Sequence, residues 1–207
     1  MVSQITACSL PSLVGKKFYA ADCDAIFNVL SNNQMGQFAF LRCAEQILGE
    51  GVDCQVLMPL ICPVNLEGLK KTVEIAPKIL CIPLVLTNNY LLFESRHIVH
   101  LLVKKDENSV KSIEFFDSRG SSVNDHKEVR VVVNSLRESD SEILENKKCF
   151  QGYFDWYNCG AYVLSYLEQT LVHKRPMDQI CAPEEGIAQY RSSLAEKLAN
   201  SCILHEE

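Results

Sequence analysis

Apolar residues recur along this chain in blocks of two kinds, and their spacing separates helix from strand. In residues 19–31 (YAADCDAIFNVLS) they fall three and four apart. That spacing predicts a helix with Ile26, Phe27, Val29 and Leu30 on its buried face and Asp22 or Asp24 as its cap. Residues 38–48 predict a second helix, closed by Gly49 and Gly51. Residues 56–64 and 79–86 (ILCIPLVL) are short, apolar and interrupted by Pro63 and Pro83, the pattern of buried or edge strands. Two further apolar runs, 97–103 (HIVHLLV) and 110–117 (VKSIEFFD), flank the charged stretch KKDENS and predict a hairpin. Residues 129–136 fit strand or helix equally. Residues 159–173 return to helical spacing through Val163, Tyr166, Leu167 and Leu171, with Pro176 just beyond. A last helix is expected in the tail, 183–205, and the first fifteen or so residues read as a loose entry.

Mixed strands and helices without an internal repeat imply an α+β fold. The length of 207 residues, 47% of them hydrophobic and 22% charged, implies one globular domain. It is expected to span 1–207, with a core over about 19–175. No run approaches the roughly 18 apolar residues of a membrane helix, and the first twenty residues do not read as a secretory leader. The net charge of −6 carries no basic stripe, which argues against a nucleic-acid partner. Ten cysteines would suggest disulfides in a secreted chain, but Cys62 and Cys81 lie inside apolar runs. The sequence has no CxxC pair, so structural zinc is not expected, and the thiols read as reduced in an intracellular compartment.

The chemistry gathers around Asn158-Cys159-Gly160. An aromatic and polar loop (FQGYFDWYN) delivers Cys159 to the first turn of an apolar helix, where unpaired N–H groups and the helix dipole favour a thiolate. Gly160 lets another segment approach. A nucleophilic thiol needs a base, and the base needs an orienting partner. His97 opens one hairpin strand and Asp117 closes the other, so the hairpin is expected to make them cross-strand neighbours. His100 is the rival base; it points to the opposite sheet face, and the loop centred near Glu107 favours His97.

These residues resemble the ubiquitin-like-protein proteases of the Ulp/SENP type, clan CE cysteine proteases. The resemblance lies in HIVHLLVKK, IEFFDSRG and YNCGAYVLSYLE, with YAADCDAIFNVL similar to the amphipathic helix that opens bacterial members. It covers roughly residues 19–170 and implies a papain-like-superfamily core, a central mixed sheet flanked by helices. It also implies the triad His97, Asp117 and Cys159, with Gln151 polarising the scissile carbonyl. Three departures stand out: Ile98 replaces the aromatic residue usual after the His, the His97-to-Asp117 separation is somewhat longer than usual whereas His100 would restore it, and Gln151 lies slightly farther upstream than usual, with Tyr153 where Gln is expected.

The implied activity is that of a thiol isopeptidase, a deubiquitinase or related enzyme, releasing ubiquitin, SUMO or NEDD8 from lysines. No metal or cofactor is needed, the chain is expected to be monomeric, and delivery by a pathogen into host cytoplasm is the implied setting. An acidic chain suits ubiquitin, with its basic face, better than acidic SUMO. Two alternatives remain: an effector acetyltransferase with the same triad, and an inactive module that binds a ubiquitin-like protein. Trp156, the sole tryptophan, reads either as a core anchor or as a wall of the channel for the modifier's Gly-Gly tail.

Overall fold

The computed structural model describes residues 2–4, 10–13, 16–31, 33–49, 51–89, 94–107 and 109–202. The remainder of the predicted loose entry and the last residues of the predicted tail lie outside these. Two short strands, β1 (Val2–Gln4) and β2 (Lys17–Tyr19), pair antiparallel ahead of α1 (Ala20–Leu30) and α2 (Gln37–Leu48). Then come β3 (Gln55–Val56), β4 (Leu60–Ile61), α3 (Leu66–Ile75), β5 (Ile79–Asn89), β6 (Glu94–Asp106) and β7 (Ser109–Phe116). The chain continues with α4 (Lys127–Leu136), β8 (Glu142–Glu145), α5 (Cys159–Leu167) and α6 (Ile187–Cys202). The main sheet runs β3-β5-β6-β7-β8, with β4 also on β5. β5, β6 and β7 are antiparallel neighbours, while β3 and β4 on β5 and β8 on β7 are parallel, so the sheet is mixed.

Alternation along the strands divides the core in two. Cys81, Ile98, Leu102 and Phe116 face α1, α2, α5 and α6. Leu80, Ile82, Leu84, Val99, Leu101 and Phe115 face α3 and α4. A sheet covered on both faces explains the nearly continuous apolar runs of β5 and β6. Pro83 is tolerated inside β5 because β3 meets Leu80 and Cys81 while β4 meets Leu84 and Val85, so the missing donor falls between the two short pairings.

Several local expectations are corrected. Neither Asp22 nor Asp24 caps α1; its N-cap is Tyr19, without a side-chain bond. Its buried face is Cys23, Ala25, Ile26 and Val29, and Phe27 is 41% exposed. The stretch 129–136 is helical, with Val129, Val132, Val133 and Leu136 buried on one face. That three- and four-residue spacing against the sheet overrides the β preference of its valines. The helix beginning at Cys159 gives way to a π-helical turn over Glu168–Val172.

Candidate active site

β6, β7 and the start of α5 converge at one end of the sheet. The β6–β7 register pairs His100 with Phe116 and shifts at Lys104/Lys105. Continued by one residue, it sets Asp117 across from Val99, a diagonal neighbour of His97 on the same face. The direct His97–Asp117 pairing expected from the loop centre does not form: the turn-side register of Lys105 with Val110 would set Asp117 across from Ile98, and the shift at Lys104/Lys105 moves it on to Val99, on the face of His97, where the side chains still meet. His97 Nε2 donates to Asp117 Oδ1 at 2.7 Å, both side chains being buried. The Cys159 side chain lies beside the same imidazole, near enough to favour its protonated form. With Nε2 committed to the carboxylate, Nδ1 is the nitrogen left for sulfur. The structure thus brings His97, Asp117 and Cys159 together, although His97 does not open its strand as expected but follows three residues of β6, Glu94–Arg96, that pair with β5.

Burial by itself pushes the His97 imidazole toward the neutral form; Asp117 and Cys159 outweigh it and raise the ring from 6.5 to about 9. Asp117 is likewise penalised by burial, but donors from His126, His97 and the Arg119 backbone hold it well below the usual carboxylate range. His126, which sequence reading passed over, sets Nε2 3.2 Å from Asp117 Oδ2. Arg119 N donates to Oδ1 at 2.8 Å. The chain turns after Asp117 through Gly120, whose φ of +73° and 3.0 Å approach of a notional Cβ to the Lys148 backbone both demand glycine. His100 lies on the opposite face with no exposure, 5.7 Å from the Tyr166 ring, and neither of its nitrogens has a partner. Burial pushes it down to about 3.

No side chain caps α5. The N–H groups of its first turn therefore stand open at the sulfur, as helix geometry dictates. Beside Cys159 lies a cleft of about 400 Å³ walled by Met35, Gly36, Pro59, Ile61, Val85 and Ile98, with Gln34, Gln37 and Arg96 supplying polar groups. Gly160 permits the near wall: a Cβ there would meet Met35 Cβ at 3.3 Å. Gln34 Nε2 donates to the carbonyls of Arg96 and Trp156, joining β6 to the loop before Cys159.

Gln151 and Trp156 sit differently from the other predicted residues. Gln151 is buried and does not line the cleft. Its Oε1 accepts from Ser118 Oγ at 2.7 Å and its Nε2 donates to the Asp155 carbonyl at 2.6 Å, making it a strut between the carboxylate strand end and the loop of the nucleophile. The Trp156 ring also lies outside the cleft lining, half-buried, with the Arg119 guanidinium 5.6 Å from its centroid and Tyr153 6.5 Å away edge-on. The sequence held one overlooked sign of how this loop is built. Asp155 and Asn158 are spaced for a side-chain turn, and Asp155 Oδ1 accepts from the backbone of Tyr157 and Asn158, both at 3.2 Å.

Among the described residues no His, Cys, Asp and Glu side chains are grouped to hold a metal ion, and no helix is long and apolar enough to cross a membrane. The nine described cysteines are all free thiols.

The architecture is that of the Ulp1-type cysteine proteases, the fold implied by the sequence resemblance. The SUMO protease Ulp1 superposes with a TM-score of 0.52 at 11% identity, covering 90% of this chain and 97% of its own. ChlaDub1 from Chlamydia trachomatis gives 0.50 at 11% identity, with 89% and 91% covered. The Legionella pneumophila effector RavZ gives 0.55 at 10% identity over 81% of this chain; the chain spans 64% of the RavZ length. No family model matches the sequence, and no curated protein does.

Proposed function

We propose that this chain is a thiol isopeptidase that cleaves after the C-terminal Gly-Gly of ubiquitin or a ubiquitin-like modifier. The observation that carries the reading is the buried His97 imidazole, hydrogen-bonded to Asp117 and beside Cys159, which itself lines a cleft of apolar and polar residues. His97 takes the Cys159 proton, and the thiolate attacks the carbonyl of the terminal glycine. The tetrahedral oxyanion is met by the open N–H groups at the start of α5. His97 then protonates the departing lysine amine, leaving a thioester. Water, deprotonated by His97, attacks that thioester, returning the thiol and releasing the modifier's carboxylate. Asp117 keeps the imidazole oriented and stabilises its protonated form.

Gln151 supports this chemistry chiefly as a strut. One of its amide N–H groups goes to the Asp155 carbonyl and the side chain does not line the cleft beside Cys159, so the oxyanion role rests on the N–H groups at the start of α5. Trp156, with Arg119 and Tyr153, forms a rim outside the cleft against which the modifier's body would rest. Between modifiers, the −6 charge favours ubiquitin. Fold likeness to an effector of Legionella pneumophila and to ChlaDub1 of Chlamydia trachomatis supports action inside a host cell. Hydrolysis of fluorogenic C-terminal amides of ubiquitin, SUMO and NEDD8 tests the reading. Turnover that disappears in Cys159→Ala is expected, and failure on all three amides would refute it.

A further inference from the structure

Asn158 is the residue just before the nucleophile, and asparagine is among the best helix caps. Here it does not cap. Its backbone sits at φ −95°, ψ 3°, in the sparsely populated bridge region, and its side chain makes no bond to the first turn of α5. The amide is instead held from two sides. Arg191 Nη1, from α6, donates to Asn158 Oδ1 at 2.9 Å. Asn158 Nδ2 donates to both carboxylate oxygens of Asp155, at 3.0 and 3.1 Å.

The same guanidinium reaches the other wall of the cleft. Arg191 is only 4% exposed, and it donates to the carbonyls of Asn28, Val29, Ser31 and Asn33, the end of α1 and the segment after it. Gln34, Met35 and Gly36, which line the cleft, follow at once. A planar fork of five donors suits this task, because it bonds several acceptors in fixed directions. These partners lie up to 163 residues away in sequence.

We propose that Arg191 is a positioning residue for the reaction at Cys159: it holds the Asn158 side chain off the start of α5 and ties that start to the facing cleft wall. Held so, Asn158 leaves the first-turn N–H groups to the thiolate and the oxyanion. Once released, its Oδ1 would accept from the N–H of Gly160 or Ala161, quenching the positive end of the helix. The inference rests on Cys159 being the nucleophile.

The test follows alkylation of Cys159 by iodoacetamide against pH, read by peptide mass spectrometry, beside turnover of ubiquitin amide. Arg191→Lys keeps the charge and loses the fork. It is expected to raise the alkylation midpoint by about one pH unit and cut kcat about tenfold, with KM nearly unchanged. Adding Asn158→Gly, which has no side chain with which to cap, should return the midpoint toward that of Asn158→Gly alone. Should Arg191→Lys fail to fold, Asp155→Ala frees the amide from its other side and should give the same shift. A folded variant with an unmoved midpoint overturns the proposal, as does a shift that Asn158→Gly fails to reverse. The alkylation arm needs no modifier. A wild type inactive on every amide, with the midpoint still shifted and reversed, would sink the isopeptidase reading and uphold the role of Arg191.

Discussion

Asp117→Asn removes one charge from the site while keeping its shape. In the wild type, His97 stands at about 9 against an ordinary 6.5, a difference of two to three pH units. At about 1.4 kcal/mol per unit this corresponds to about 3 kcal/mol favouring the protonated ring. Burial opposes that form most strongly, and Asp117 supplies the bond and much of the charge that outweigh it. With asparagine there, only Cys159 remains to support the imidazolium, and the ring should fall by about two units. At pH 8 the protonated fraction then drops about tenfold. The alkaline limb of kcat/KM, near 9 in the wild type, should move down to about 7. The effect on stability has a definite sign. The His97 contribution is complete below its ordinary 6.5 and is lost as pH rises through about 9. The Asp117 contribution is present above its ordinary 3.8 and is lost as pH falls toward its depressed folded value. Wild type should therefore exceed Asp117→Asn in melting temperature most clearly from about pH 5 to 8, with the gap closing toward about pH 10. Rates of ubiquitin-amide hydrolysis across that range give the profile. An alkaline limb still near 9 in a folded Asp117→Asn variant would refute the reasoning.

Four other outcomes follow from the geometry. Cys159→Ala should abolish hydrolysis and change stability by no more than about 1 kcal/mol, checked by thermal unfolding. His100→Phe should leave turnover within about twofold and leave stability unchanged or higher by about 1 kcal/mol, because two unpartnered buried nitrogens disappear beside Tyr166. Gly120→Ala should cost about 1–3 kcal/mol in denaturant unfolding, since φ +73° is strained for alanine and its Cβ would press on the Lys148 backbone. Binding of ubiquitin to Cys159→Ala should shift the emission of Trp156, the sole indole; an unchanged spectrum at saturation would place Trp156 outside the modifier's footprint.

What the sequence disclosed was what local pattern encodes. The apolar runs of β5, β6 and β7 and the helix beginning at Cys159 follow from periodicity, and the hairpin places Asp117 at the end of β7, whereas β6 starts three residues before His97, at Glu94. α3 went unseen, because in Leu66–Ile75 only Leu69 and Val73 are buried and the rest is mostly polar. Its Asn65 cap, which accepts from Gly68 N, was the available signal. β8 offers just Ile143 and Leu144 between glutamates, too little for an alternation to be read. The bulge at Lys104/Lys105 leaves no composition mark, yet it moves Asp117 from across Ile98 to across Val99, and so onto the face of His97. His126 and Arg191 were invisible for a different reason. Each matters through a partner brought by tertiary packing, Asp117 for one and Asn158 for the other.

The most direct test of the site is covalent capture by ubiquitin carrying a C-terminal propargylamide, followed by intact-mass and peptide analysis. The account predicts a single ubiquitin adduct, mapped to Cys159, lost in Cys159→Ala and strongly slowed in His97→Ala. An adduct on any other of the ten cysteines, or capture that persists without Cys159, would contradict it.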